Sequence, residues 1–548
     1  MDYDGALLQA TNSQPLCVPT LMHRFIRLVS LTALVVSATL AVQAEVKLPA
    51  IFGDHMVLQQ GISLPVWGWA APGEKITVEI AGRRGETTAS AEGKWRVTLK
   101  PVARSSQSVE LKVSGTNTVV FTDVLVGDVW VCSGQSNMEF GLGLAHNTAQ
   151  AVPQANHPQI RLFRVNQAVA LSPQEDCTGT WMICTPENVI KIGGWNGFSA
   201  VAYFFGHEIQ QARNVPIGLI GTYWGGTPAQ AWTSLEALRA KPALEYYAKA
   251  ADDNQTHLAE NKARYESETL PKWKESVEAW KLKPEPKGRE PWRPAPPDRN
   301  PSLGTGLFNA MISPLAGYGI KGAIWYQGEA NAGSDKAAKE YAGLFPAMIT
   351  DWRARWGQGD FPFLFVQLAN FSTGGAWPKL RDAQTSTLSL PNTGMAVAID
   401  VGEAKDIHPK NKEAVGHRLA LAARHVAYRE KLVYSGPMYR SMKVKDAKIE
   451  VRFNQAGGGL VIGAAPALRM DEPAVAPADR LNGFEIAGAD KKFVPAQASI
   501  EKDRLLVWSD QVTAPVAVRY AWSAFPEPAA NLYNREGLPA SPFTTSDE

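Results

Sequence analysis

The chain has 548 residues, more than one hydrophobic core supports, so several domains are expected. Its net charge of +2, with 45% hydrophobic and 20% charged residues, is that of an ordinary globular protein and speaks against a largely disordered chain. No basic stripe points to nucleic acid, and no acidic tail points to a cationic partner.

In chain order, Met22-His23-Arg24-Phe25-Ile26-Arg27 is basic, Leu28 to Val42 is apolar, and Val42-Gln43-Ala44 fits a cleavage site. This is the three-part pattern of a secretory signal peptide. Residues 1–44 are therefore read as leader and signal, with Met22 as the natural start. An exported protein, periplasmic or secreted, is expected. The apolar run is short for a membrane anchor, and no later segment is long and apolar enough to span a bilayer.

Residues 45–124 read as a β-sandwich. Alternating runs such as Ile76-Thr77-Val78-Glu79-Ile80 and Trp95-Arg96-Val97-Thr98-Leu99 are separated by Pro72-Gly73 and Glu92-Gly93 turns. From 125 the pattern becomes α/β. Val124 to Val131 is an apolar run, broken only by Asp128, and reads as a fully buried strand of the kind found inside a parallel sheet. It ends in Cys132-Ser133-Gly134-Gln135-Ser136-Asn137-Met138-Glu139. Gly134 lets the backbone turn, and Ser136 is then presented where α/β sheets place their chemistry, at the C-terminal end of a strand. A plain Ser/Asn turn fits the same residues.

Phe198 to Gln211 has helical spacing, with Asn196 as a candidate cap. Pro216 to Thr222 is the next buried strand and runs into Tyr223-Trp224-Gly225-Gly226-Thr227. Paired glycines after a strand expose backbone N–H groups of the kind an oxyanion hole uses, and they also suit a simple turn. These elements make 125–235 the first part of the α/β domain. Residues 236–301 read as an insertion, helical to about 283 with Trp273 and Trp280 on one face, then Pro-rich and extended.

The α/β pattern resumes over 302–430. Lys321 to Asn331 is a strand ending in Trp325-Tyr326-Gln327-Gly328-Glu329-Ala330-Asn331, Phe363 to Leu368 is another, and Met395 to Asp400 is the last strong one. Asp406-Ile407-His408-Pro409 follows, then a helix from about Lys412 to Tyr428. From 431 to 548 alternating runs return, and a second β-sandwich is expected.

Of four cysteines, Cys17 falls in the leader and Cys132 reads as a buried small residue. Cys177 and Cys184 lie close together in a polar stretch of an exported chain and are candidates for a disulfide. No spacing of cysteine or histidine matches a metal site.

A serine needs a base within hydrogen-bond reach to act as a nucleophile, and histidine is the usual one. Among nine histidines, His408 stands out on a loop after a strand end, with Asp406 two residues before it. A carboxylate there can fix the imidazole tautomer. Trp195, Trp224 and Tyr326 are candidates for cleft walls and equally for core. The 17 tryptophans hint at carbohydrate, because exposed indoles stack on sugar rings.

Gly134-Gln135-Ser136-Asn137-Met138 taken with Asp406-Ile407-His408-Pro409 resembles the SGNH-hydrolase superfamily, and within it the sialate O-acetylesterase-like carbohydrate esterases. Ile51 to Gln59, Val66-Trp67-Gly68-Trp69, Trp224-Gly225-Gly226-Thr227, Trp325 to Asn331 and Asn531-Leu532-Tyr533-Asn534 look like further landmarks of that family, so the likeness runs from 45 to 545. The resemblance implies an SGNH-type, flavodoxin-like three-layer α/β/α catalytic domain between the two β-sandwich domains. It implies serine-dependent removal of O-acetyl groups from a carbohydrate, with no metal or organic cofactor. Ser136 then attacks the ester, His408 moves the proton, and Asp406 or a backbone carbonyl orients His408. The oxyanion goes to the Ser136 N–H, a glycine N–H at Gly225 or Gly226, and a side-chain amide, Gln327 ahead of Asn331. Glu329 reads as a buried structural acid that also borders the substrate region.

Two features depart from the wider superfamily: Gln327-Gly328-Glu329 stands where an Asn-Asp pair is usual, and Lys405 occupies the position three before His408. Acetyl esters of sialic acid, xylan and xyloglucan all remain open as substrates. A glycan-binding protein on an inactive esterase scaffold, or a lipase or peptidase, are the competing classes.

Overall fold

A computed structural model describes residues 45–285, 288–466 and 478–546. The leader and Cys17 lie outside the described residues. The central feature is an 11-stranded mixed sheet. Its backbone is one long strand, β1 (Thr118–Gly134), which runs straight through the point where the sequence pattern changes. The first half of β1 pairs antiparallel with Ser105–Ser114, while Val57–Gln59 lies parallel against Leu125 to Gly127. The second half enters a parallel sheet.

The remaining strands of that sheet are β2 (His157–Arg164), β3 (Trp181–Cys184), β4 (Ile217–Tyr223), β5 (Gly322–Tyr326), β6 (Phe363–Gln367) and β7 (Thr393–Val397). Their order across the sheet is β7-β6-β5-β1-β4-β2-β3, all parallel except β3, which runs antiparallel to β2 at the edge. Every residue of β4, β5 and β6 is buried. That is why these strands are apolar runs rather than alternating ones: helices cover both faces. On one face α2 (Ala200–Arg213) sets Phe205 edge-on against Trp130 at 5.0 Å. On the other, α3 (Asp335–Trp356) stacks Phe345 on Trp325 and sets Trp352 edge-on to it.

Helix α2 starts two residues later than its spacing predicts. Ser199, not Asn196, caps it by accepting the Ala202 N–H; Asn196 instead holds a left-handed turn at φ +63°. The expected C-terminal helix is α4 (Lys412–Val426), capped by Asn411. It packs on α2 at Gly416, where a Cβ would lie 2.7 Å from Phe204 Cβ.

The 236–301 region holds helices Glu245–Thr256, Leu258–Arg264 and Leu270–Lys281. Trp273 and Trp280 donate their indole N–H groups to Pro291 and Gly288 carbonyls at 3.0 and 3.1 Å, which pins the returning Pro-rich strand to the last helix. Beyond α4, the chain forms two four-stranded antiparallel sheets and a two-stranded one. Tyr533 ties this region to the sheet by donating its hydroxyl to Asp400 Oδ2 at 3.0 Å.

Cys177 and Cys184 are not joined. Cys184 ends β3 opposite His157 with its thiol turned inward toward the Ala155 carbonyl, while Cys177 lies in the loop before it. Seven residues apart in sequence does not bring their sulfurs together.

Candidate active site

Strand β1 ends in Gly134 at φ +138°, where a Cβ would lie 2.1 Å from the Tyr326 carbonyl oxygen. Only glycine fits so close a backbone approach. The chain then turns into a single helical turn, α1 (Ser136–Glu139). As its first residue, Ser136 has an N–H with no intrahelical acceptor. The loops after β1, β4, β5 and β7 all lie at the C-terminal edge of the parallel strands, so residues far apart in sequence converge there.

The convergence is direct. His408 Nε2 lies 2.9 Å from Ser136 Oγ. The His408 backbone N–H donates to Asp406 Oδ1 at 2.9 Å, and the same oxygen is 3.5 Å from Nδ1. The Asp406 carboxylate therefore holds the loop backbone firmly and the ring loosely. Its side chain is 45% exposed, so water screens its charge. Burial, then the nearby Lys412 charge, push the His408 imidazole down to about 4 against the pull of Asp406. The ring is neutral at pH 7 and able to accept the serine proton. Trp195, 41% exposed, stands edge-on to the imidazole at 4.7 Å and packs on Phe140, so it forms one wall beside the pair.

The glycine turn after β4 reaches the serine. A Cβ on Gly225 would lie 3.3 Å from Ser136 Cβ. The Gly225 N–H, however, donates to Glu139 Oε2 at 2.7 Å. Burial raises the Glu139 carboxyl, opposed by that N–H and by Arg164. Gly226 is exposed at φ +74°, and Trp224 beside it is partly buried, its N–H donating to the Gly134 carbonyl at 3.1 Å.

Three candidates lie elsewhere than expected. Gln327 is fully buried, and both of its amide N–H groups are spent, on Thr227 O at 3.3 Å and Asn331 Oδ1 at 2.7 Å. Its Oε1 accepts from Tyr341. The Asn331 amide donates to Gln230 and its oxygen also accepts the Ala229 N–H. These amides bind the loops after β4 and β5 to each other and make no hydrogen bond to Ser136 or His408. Tyr326 is no cleft wall: it is the last residue of β5 and wholly buried.

Other residues do more than the sequence showed. Asn137, next to the serine, donates to the Ile407 carbonyl at 3.0 Å and to Glu329 Oε1, and accepts from the buried Lys412 ammonium. Gln135 Oε1 accepts the Ala330 N–H at 3.2 Å. Both side chains belong to the stretch around Ser136, but their partners are about 200 residues away or more, and no local pattern announces them. Glu329 Oε2 is shut off from water with no hydrogen-bond partner, and burial raises its carboxyl.

A neutral imidazole against a serine hydroxyl at the C-terminal edge of a parallel sheet can activate that hydroxyl for attack on an ester. Comparison with known proteins places the chain among the carbohydrate esterases. The model of a family described as carbohydrate esterase, sialic acid-specific acetylesterase, matches residues 126–261 and 292–425. Its gap falls on the last helix of the 236–301 insertion and the loop after it. Mouse (Mus musculus) sialate O-acetylesterase is 30% identical over 537 residues, covering 89% of this chain and 92% of the mouse protein. The human (Homo sapiens) sialate O-acetylesterase is 30% identical over 538 residues, covering 89% and 90%. The crystal structure of a carbohydrate acetylesterase from Xanthomonas citri superposes with a TM-score of 0.74 at 39% identity, covering 92% of this chain and all of that one. The chain belongs to the sialate O-acetylesterase family of carbohydrate esterases, and it is a carbohydrate O-acetylesterase.

Proposed function

We propose that the protein is an exported serine esterase of SGNH type that removes an O-acetyl group from a sugar through an acetyl-enzyme. The observation that carries this reading is the 2.9 Å contact between His408 Nε2 and Ser136 Oγ. Neutral His408 takes the hydroxyl proton as Oγ attacks the acetyl carbonyl. The imidazolium then gives that proton to the leaving sugar oxygen, and water completes the cycle by the reverse route. Asp406 steadies the His408 loop. The oxyanion is assigned to the Ser136 N–H and the Gly226 N–H, with Gly225 joining when it exchanges Glu139 for the oxyanion. Trp195 and Trp224 are assigned to the sugar, beside the reacting pair. Export is supported by the leader pattern of residues 22–44, and flanking β-sandwich domains by the alternating runs at both ends.

Sialic acid is the sugar named for the 30% identical relatives. A plant polysaccharide such as xylan or xyloglucan is the second reading, because the 39% identical enzyme is named only for carbohydrate. Acetate release from O-acetyl sialic acid, acetyl xylan and acetyl xyloglucan, wild type against Ser136→Ala, tests both. The expected result is release from one class by wild type and none by the variant. Full activity in the variant ends the assignment of Ser136.

A further inference from the structure

Lys412 is wholly buried, beside the catalytic pair, and the chemistry above does not use it. Its ammonium sits over the Phe140 ring at 4.7 Å and the Tyr326 ring at 5.3 Å, and donates to Asn137 Oδ1. We propose that Lys412 is a positioning residue of this esterase: it fixes the Asn137 amide, which holds the Ile407 carbonyl and so keeps His408 against Ser136. This rests on Ser136 and His408 being the reacting pair.

The argument is one of hydrogen-bond polarity. An amide side chain has an oxygen that only accepts and a nitrogen that only donates. As an ammonium, Lys412 has only protons to give, so it demands Oδ1. Glu329 Oε1 and the Ile407 carbonyl only accept, so they demand Nδ2. The cation on one side and the acceptors on the other leave a single orientation. Asn137 adjoins the nucleophile and Ile407 adjoins the base, so this amide clamps the two loops together. A sheltered ammonium over two aromatic faces cannot be replaced by water without opening the core.

The charge has a second effect. Burial pulls Lys412 down to about 7, opposed by Glu329, Asp406 and Glu403, the carboxylates that face it from the turn after β5 and from the His408 loop. The groups that bear on His408 are Lys412 and Arg289, which oppose a positive ring, and Asp406, which favours one. A lysine that merely filled space would not move the titration of the base.

The test is Lys412→Met, with pH profiles of kcat and kcat/KM on 4-nitrophenyl acetate and thermal unfolding in parallel. The expected kcat falls about tenfold or more, as for a base displaced by a fraction of an ångström, with KM little changed. The acid limb of kcat/KM moves to higher pH, because the larger of the two cations that resist the imidazolium is gone and only Arg289 is left. An unchanged kcat overturns the proposal, and so does a reduced kcat with an unmoved acid limb. If Lys412→Met does not accumulate as folded protein, Asn137→Ser severs the same clamp while leaving the charge. It is expected to lower kcat with the acid limb in place, and wild-type kcat there overturns the proposal. Acetate release by Ser136→Ala would instead remove the catalytic reading itself; an inert Ser136→Ala with a wild-type profile for Lys412→Met removes only Lys412.

Discussion

Helix α4 carries two buried cations within two turns, and they live in opposite circumstances. Arg418 meets Asp400 through two parallel hydrogen bonds of 2.6 and 2.7 Å, and gives a further bond of 2.7 Å to the Val397 carbonyl. Tyr533 closes the remaining side of the carboxylate. The two charges are matched head-on and three of the guanidinium hydrogens are placed, which is how a structural ion pair survives burial. Lys412 has no carboxylate in contact. It touches an amide and two rings, and Glu329, the carboxylate that acts on it most, keeps one oxygen without a hydrogen-bond partner. Full pairing marks the cluster that joins the C-terminal strands to the sheet. Incomplete pairing marks the cluster under Ser136, the kind of place where a displaced titration is useful.

Breaking the matched cluster should have the largest effect. Arg418→Met strands Asp400 in the core, and a loss of about 3–5 kcal/mol is expected in denaturant unfolding. Next comes the consequence of crowding charge and burial around His408. With the imidazole held at about 4, the acid limb of kcat/KM should lie near pH 4 rather than near the ordinary 6.5. The sign follows from the ring being useful only when neutral: activity persists through pH 5 and is lost below about 4. In that same window the unfolded chain binds the extra proton and the folded one does not, so acidification from 6.5 to 4 costs stability. A pH–rate profile with its limb near 6.5 would contradict this.

The paired glycines sharpen the contrast between site and scaffold. Gly225→Ala places a methyl 3.3 Å from Ser136 Cβ and Glu139 Oε2, and about a tenfold fall in kcat with a near-normal Tm is expected. Gly226→Ala meets nothing within 4 Å but must adopt φ +74°, so it should cost about 1 kcal/mol of stability from backbone strain alone. The smallest effect is expected for Glu329→Gln, which keeps an acceptor for Asn137 and removes an ill-solvated charge; unfolding should shift by less than about 1 kcal/mol.

The sequence was most legible where burial is two-sided. Strands such as Ile217–Tyr223 and Phe363–Gln367 announce themselves as unbroken apolar runs, and the polar residues that end them mark the catalytic edge. The meeting of Ser136 and His408 was readable because one ends a buried strand and the other lies on the loop after another, each with distinctive neighbours. Side-chain direction was not readable. Gln327 and Tyr326 follow one another off the same strand, and nothing local tells that both turn inward rather than toward the serine. The Asn137–Lys412 contact joins residues 275 apart, and Lys412 alone looks like an ordinary helix start. Adjacency misled for Cys177 and Cys184, and for Asn196, whose cap role Ser199 takes.

The single strand β1 from Thr118 to Gly134, bulged at Asp123 (φ +52°) but paired on both sides of the bulge, means that the opening segment and the esterase core share a beam. Cutting the gene at residue 125 would strip the strand that carries Ser136 of the neighbours that Val57–Gln59 and Ser105–Ser114 provide. A truncated enzyme is therefore expected to precipitate rather than to survive as a minimal catalyst, and engineering of this scaffold has to begin upstream of residue 57.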